Sequence, residues 1–110
     1  MRLSQKPLRP GDRAALESVL ADHDEVLVEF YTKGCSMCQA MEPVLGNVAR
    51  ARDVTVAMVN PEHDMELVEE WNVRSVPTLV LVRDGEEIAR KAEGFQGASD
   101  VVAFLDEHTA

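Results

Sequence analysis

No stretch of this chain approaches the roughly 20 consecutive apolar residues that a membrane-crossing helix requires, so no helical span is expected. The opening Met1-Arg2-Leu3-Ser4-Gln5-Lys6-Pro7 carries basic residues with no apolar segment behind them. It does not read as a secretory leader, and the expected location is the cytoplasm. Positive charge is scarce, with 11 Lys+Arg against 20 Asp+Glu, and only Lys6, Lys33 and Lys91 are lysines. Without a basic stripe, nucleic-acid binding by phosphate neutralisation is not expected. A dispersed, lysine-poor acidic surface stays hydrated and self-repelling. That suits a high-salt cytoplasm, where screening shortens the repulsion; an ordinary acidic soluble protein has the same composition, and composition alone does not separate the two. Internal repeats and low-complexity tracts are absent. Aromatics make up only 5% of the residues, and with so few to expose, a monomer is expected.

What is present fits one domain over residues 1–110, with residues 1–10 (prolines at 7 and 10) as an extended arm or short edge strand. The 45% apolar content of the 110 residues suffices for one modest core. So short a chain leaves no room for a separate cofactor domain, and any chemistry must come from side chains or a small bound ion. Asp12 is placed to cap a helix reaching about Asp22, with Leu16, Val19 and Leu20 on one face. The nearly continuous apolar run 25–31 reads as a strand covered on both sides. Residues 36 to about 52 form a helix with Met41, Val44, Leu45 and Val48 inward, and Pro43 is expected to kink it. A strand follows at 54–59. Asn60 as cap and Pro61 in the first turn predict a helix to about Trp71, with Met65, Val68 and Trp71 inward. A loop at 72–78 leads to a strand at 79–82, an Asp84-Gly85 hairpin turn, a strand near 87–91 and a helix from 99 to 107 burying Val101, Val102 and Leu105. Alternation followed by a hairpin makes the fold class α/β, a mixed sheet between helical layers.

Both cysteines of the chain lie in Gly34-Cys35-Ser36-Met37-Cys38. A bridge between them closes too small a loop to act as a useful staple, so redox or metal chemistry is the better use. The strand–loop–helix context puts Cys35 at a helix N-terminus, where unpaired N–H groups and the macrodipole favour a thiolate. Cys38 lies one turn on, on the same face and less exposed, so Cys35 is the attacking thiol and Cys38 the resolving one. Lys33 adds positive potential or sits in water. The alternative is a thiolate module for Cu(I) or Zn. Zinc wants four ligands, and His23, His63 and His108 are far apart in the chain and near helix ends; Cu(I) suits the two sulfurs with Met37. The context favours redox.

The run Val28-Glu29-Phe30-Tyr31, then Cys35-x-x-Cys38 and Pro43, resembles the first half of a thioredoxin. Val73-Arg74-Ser75-Val76-Pro77-Thr78 is similar to that family's cis-proline loop, and Asp84-Gly85 and Gly94 fall where the family turns its hairpin and passes close to the active site. The likeness spans about residues 12 to 108. It implies a thioredoxin-like fold, a central mixed β-sheet flanked by helices, and a protein-disulfide reductase of cell redox homeostasis. Its electrons would reside on the Cys35–Cys38 redox-active disulfide, with no other cofactor. Partners would be disulfide-containing proteins and a thioredoxin-reductase-like or low-molecular-weight thiol donor. Cys35 would form a mixed disulfide that Cys38 resolves. Pro77, if cis, would shape a groove with Gly34, Ser36, Met37 and Gly94, leaving Val76 backbone groups to pair with an extended substrate.

The resemblance also implies that Glu29 exchanges a proton with Cys38, because the family commonly buries an aspartate there; a sheet-edge glutamate reaching water is the alternative. Buried, Glu29 would have a raised pKa. The chain departs from the family at Gly34, where a tryptophan is usual, and at Ser36-Met37, where Gly-Pro is common. Met58 replaces a lysine often found beside the buried acid. The reduction potential is therefore not carried over.

Overall fold

Three apolar runs become the interior of a four-stranded sheet because each is hydrophobic on both faces and needs a helical layer on each side. In the computed structural model, which describes residues 6–108, the elements are α1 (Arg13–Asp22), β1 (Glu25–Phe30), α2 (Ser36–Arg52), β2 (Thr55–Val59), α3 (Met65–Glu70), β3 (Thr78–Arg83), β4 (Glu86–Lys91) and α4 (Ala98–Glu107). Strand order is β2-β1-β3-β4. β1 runs parallel to β2 and antiparallel to β3, and β3 runs antiparallel to β4, which makes the sheet mixed, as expected. Of the N-terminal arm, residues 1–5 lie outside the described residues. The rest contributes one parallel bridge, Leu8 to Ala57, on the free side of β2.

Alternation along β1 divides the core in two. Val26, Val28 and Phe30 join Leu16 of α1 and Leu67 of α3 on one face. Leu27 joins Met41, Leu45 and Val48 of α2 with Val101, Phe104 and Leu105 of α4 on the other. Each such side chain, fully buried, contributes about 1.5–3 kcal/mol. The hairpin turn has φ of 52° at Asp84 and 81° at Gly85, the positive pair that a two-residue turn matched to strand twist demands. α2 runs on through Pro43 to Arg52, and Asp12 caps α1 by accepting the Ala15 N–H at 2.8 Å.

The third helix corrects the sequence reading. Asn60 accepts the Glu62 N–H and the Pro61 carbonyl accepts that of Asp64, so residues 60–64 close as a turn. The helix starts only where Asp64 caps it, bonding the Leu67 N–H at 3.1 Å. That later start changes the helical phase: Met65 is 66% exposed and Leu67 is the inward residue, with Val68 and Trp71 half-buried. The last helix is also phased differently, with Phe104 buried and Val102 only partly so, because Val101, Phe104 and Leu105 form the face toward α2.

Candidate active site

β1 delivers the chain to one end of the sheet, and the Tyr31 N–H still bonds the Val59 carbonyl at 2.9 Å. Beyond it, Gly34 turns with φ of +78°, a conformation that favours glycine. Cys35 is the N-cap of α2, in extended backbone, and its sulfur accepts the Cys38 N–H at 3.1 Å. Sequence reasoning placed it at this helix N-terminus, where the first-turn N–H groups stabilise negative charge. Cys35 and Cys38 are joined as a disulfide with Cα atoms 5.2 Å apart. Cys35 is half-buried while Cys38 is 3% exposed, so only the first sulfur is presented to solvent.

Glu62 pins the loop before Cys35. Its carboxylate accepts the Lys33 backbone N–H at 2.9 Å and the Asn60 side-chain amide at 3.0 Å. These bonds, the Lys33 one foremost, hold the Glu62 carboxyl below the usual range. Nothing in the local sequence signals this contact, because Glu62 and Lys33 lie 29 positions apart.

The Val76-Pro77 bond is cis, as the resemblance implied. The register Phe30↔Thr78 sets this bond beside the end of β1, at the edge of the sheet from which the cysteine loop departs. Thr78 closes the turn by donating its hydroxyl to the Ser75 carbonyl at 2.7 Å. Arg90 on β4 ties down the start of the same loop, donating to the Trp71 and Asn72 carbonyls at 2.8 and 3.2 Å. Gly94 has φ of +78°, and a Cβ there would meet the Met37 sulfur at 3.3 Å, so the fold brings Gly94 and Met37 together. Gly34 and Ser36 are exposed, Val76 is half-buried and Pro77 is buried. Met37 and Phe95 are each 46% exposed and offer apolar surface. Phe95 was missed in the sequence; its place directly after Gly94 was the available signal.

Glu29 is the chemical anomaly. It is fully buried on β1, between Met58 of β2 and Leu79 of β3, so the alternative of a water-reaching edge glutamate is not what the fold builds. Alternation points it to the face of Leu27, into the layer occupied by α2, the helix that carries Cys38. Neither carboxyl oxygen has a hydrogen-bond partner. Burial pushes its pKa up to about 8, opposed by the positive charge of Arg9.

A hollow of about 150 Å³ lies against Cys38, between α2 and β2, with Arg9, Tyr31, Glu42 and Met58 in its walls. A larger one, about 440 Å³, lies between the end of α1 and the Asp84-Gly85 turn and contains neither cysteine. Among the described residues, no three His, Cys, Asp or Glu side chains gather as a metal centre would. His23 and His108 are C-caps, of α1 and α4. Among the described residues, no helix is long and apolar enough to cross a membrane.

The family model described as Thioredoxin matches residues 11–107. A thioredoxin of Mycobacterium tuberculosis (strain H37Rv) is 35% identical over 107 residues, covering 90% of this chain and 92% of its own. A thioredoxin of Pseudomonas aeruginosa is 31% identical, covering 94% and 97%. Among solved structures, a mutant thioredoxin from Halobacterium salinarum NRC-1 superposes with a TM-score of 0.87 at 33% identity, over 96% of this chain and 92% of that one.

Proposed function

This chain belongs to the thioredoxin family and is a thiol–disulfide oxidoreductase acting through its own Cys35–Cys38 pair, and from that premise we propose that it works in the cytoplasm as a single-domain, monomeric reductant of protein disulfides. The observation that carries the reading is the asymmetry of the pair: Cys35 caps α2 and is accessible, whereas Cys38 is buried one turn behind it.

In the reduced protein the Cys35 thiolate attacks a substrate disulfide. One S–S bond breaks, a mixed disulfide with Cys35 forms, and the other substrate sulfur leaves as thiolate. Cys38 then loses its proton and attacks the Cys35 sulfur, restoring the Cys35–Cys38 disulfide and releasing the second substrate thiolate. Two electrons have passed from the pair to the substrate. Glu29 is the proposed acceptor of the Cys38 proton. Its raised pKa, about 8, lies close to that of a free thiol, so transfer between the two is nearly balanced. Met37, Gly94, Val76 and Pro77, with Gly34 and Ser36 at the rim, form the proposed groove for an extended substrate segment. A thioredoxin-reductase-like protein or a low-molecular-weight thiol recharges the pair.

The test is a redox titration of the purified, metal-free protein across thiol–disulfide buffers, with the oxidation state read by alkylation and mass. A reversible two-electron midpoint near about −270 mV is expected. A midpoint near about −150 mV would overturn the reductant reading in favour of an oxidase or isomerase. A pair that never forms a reversible disulfide would overturn the redox reading itself.

A further inference from the structure

The residue opposite Glu29 on β2 is Met58, so the neighbouring strand offers the buried carboxyl no charge. The N-terminal arm supplies one. Leu8 donates its N–H to the Val56 carbonyl and accepts that of Met58, both at 2.8 Å, which seats Leu8 in register with Ala57. The next residue, Arg9, therefore falls in register with Met58. Because side chains alternate and paired positions share a face, Arg9, Met58, Glu29 and Leu79 form one row across the sheet. Two strand spacings, roughly 10 Å, separate the Arg9 and Glu29 backbones, and a long arginine side chain shortens that gap. Arg9 reaches the hollow against Cys38, where it forms an ion pair with Glu42 of α2.

We propose that Arg9 is a positioning residue for dithiol exchange: carried in on the N-terminal arm, it covers the hollow beside Cys38 and supplies the positive charge that eases ionisation of Glu29. Glu42 anchors it there. Between Arg9 and Glu29 the row holds only Met58, and Lys33 is the other cation at the hollow. Tyr31 and Lys33 border the hollow from the loop after β1. β3 presents Leu79 and α4 presents Val101, Phe104 and Leu105, all apolar. Lys91 of β4 lies in the same row but beyond Leu79, on the far side of Glu29. Arg9 is exposed while Cys38 is buried, so its charge acts from the mouth of the hollow without exposing the sulfur. This inference rests on the reading of Glu29 as the proton acceptor for Cys38.

The experiment follows the Glu29 carboxyl by carbon-13 NMR through a pH titration of the full chain, in the unsubstituted protein, Arg9→Met and Arg9→Lys. It also records the pH profile of disulfide exchange in the same proteins and in Glu29→Gln. Arg9→Met is expected to move the Glu29 titration upward by about half a unit or more, and Arg9→Lys to restore it. The exchange profile should follow the same shifts, and Arg9→Met should move nothing further in the Glu29→Gln background. A Glu29 titration unmoved by Arg9→Met, or one that Arg9→Lys does not restore, overturns the role of Arg9. If the titration moves but Glu29→Gln leaves the exchange profile unchanged, the proton-acceptor reading of Glu29 fails, and with it the role of Arg9 in exchange.

Discussion

Replacing Glu29 by glutamine tests whether the sheet encloses an acid that prefers to stay neutral. In the unfolded chain Glu29 titrates near the ordinary glutamate value of 4.5; in the fold burial raises it to about 8. Below pH 4.5 both states hold the proton and Glu29 exacts no charge penalty. As pH rises from there to about 8, the unfolded chain loses the proton while the native state keeps it, so stability falls by about 1.4 kcal/mol per pH unit. At pH 7 the accumulated loss is about 3 kcal/mol, and above pH 8 it levels off. Glu62 and Glu87 carry lowered pKa values, so their contributions are lost toward acid, below this window. Glutamine has nearly the same volume and remains an unpartnered polar group, so near pH 4.5 the two proteins should be about equally stable. At pH 7, Glu29→Gln should be more stable by roughly 2–4 kcal/mol, a large share of the stability of a small domain. The assay is urea unfolding of the disulfide form at half-unit steps from pH 4.5 to 9. Parallel stability curves for the two proteins through pH 5–8 would refute the reasoning and mean that the carboxyl finds a partner or water.

Two further substitutions probe the site. Cys38→Ser should trap substrates as stable mixed disulfides on Cys35, visible as reductant-sensitive adducts on non-reducing gels; the same adducts forming with Cys35→Ser would reverse the assigned order of attack. Gly94→Ala places a Cβ at positive φ and 3.3 Å from the Met37 sulfur, so it should cost about 1–2 kcal/mol in urea unfolding and raise KM for a protein disulfide. Unchanged stability and KM together would remove Gly94 from the groove.

Local chemistry was enough for much of this protein. Strand runs buried on both faces, the Asp12 cap, the Asp84-Gly85 turn and the Cys35 position at a helix start follow from short-range patterns, because caps, turns and periodicities act within a few residues. The start of α3 was misplaced although the signals were local. Asn60-Pro61 was read as the helix start, whereas the outcome depended on a turn closed by Asn60 and Pro61 and on Leu67 joining the core with Phe30 and Val80. Phe104 was passed over because its burial depends on which face of α4 meets α2, and the sequence of α4 alone does not specify its partner.

The amino-acid order by itself determined the strand–loop–helix that carries Cys35 and Cys38, and through it the two-sulfur chemistry. It also showed that an acid stood inside an apolar strand. Only the tertiary structure decided that this acid is fully buried in a central strand, and that the Glu62 carboxylate holds the Lys33 backbone. It alone set Arg9 in one row with Met58 and Glu29. Those contacts join residues tens of positions apart, and their energies depend on burial and on strand register, which exist only once the sheet has assembled.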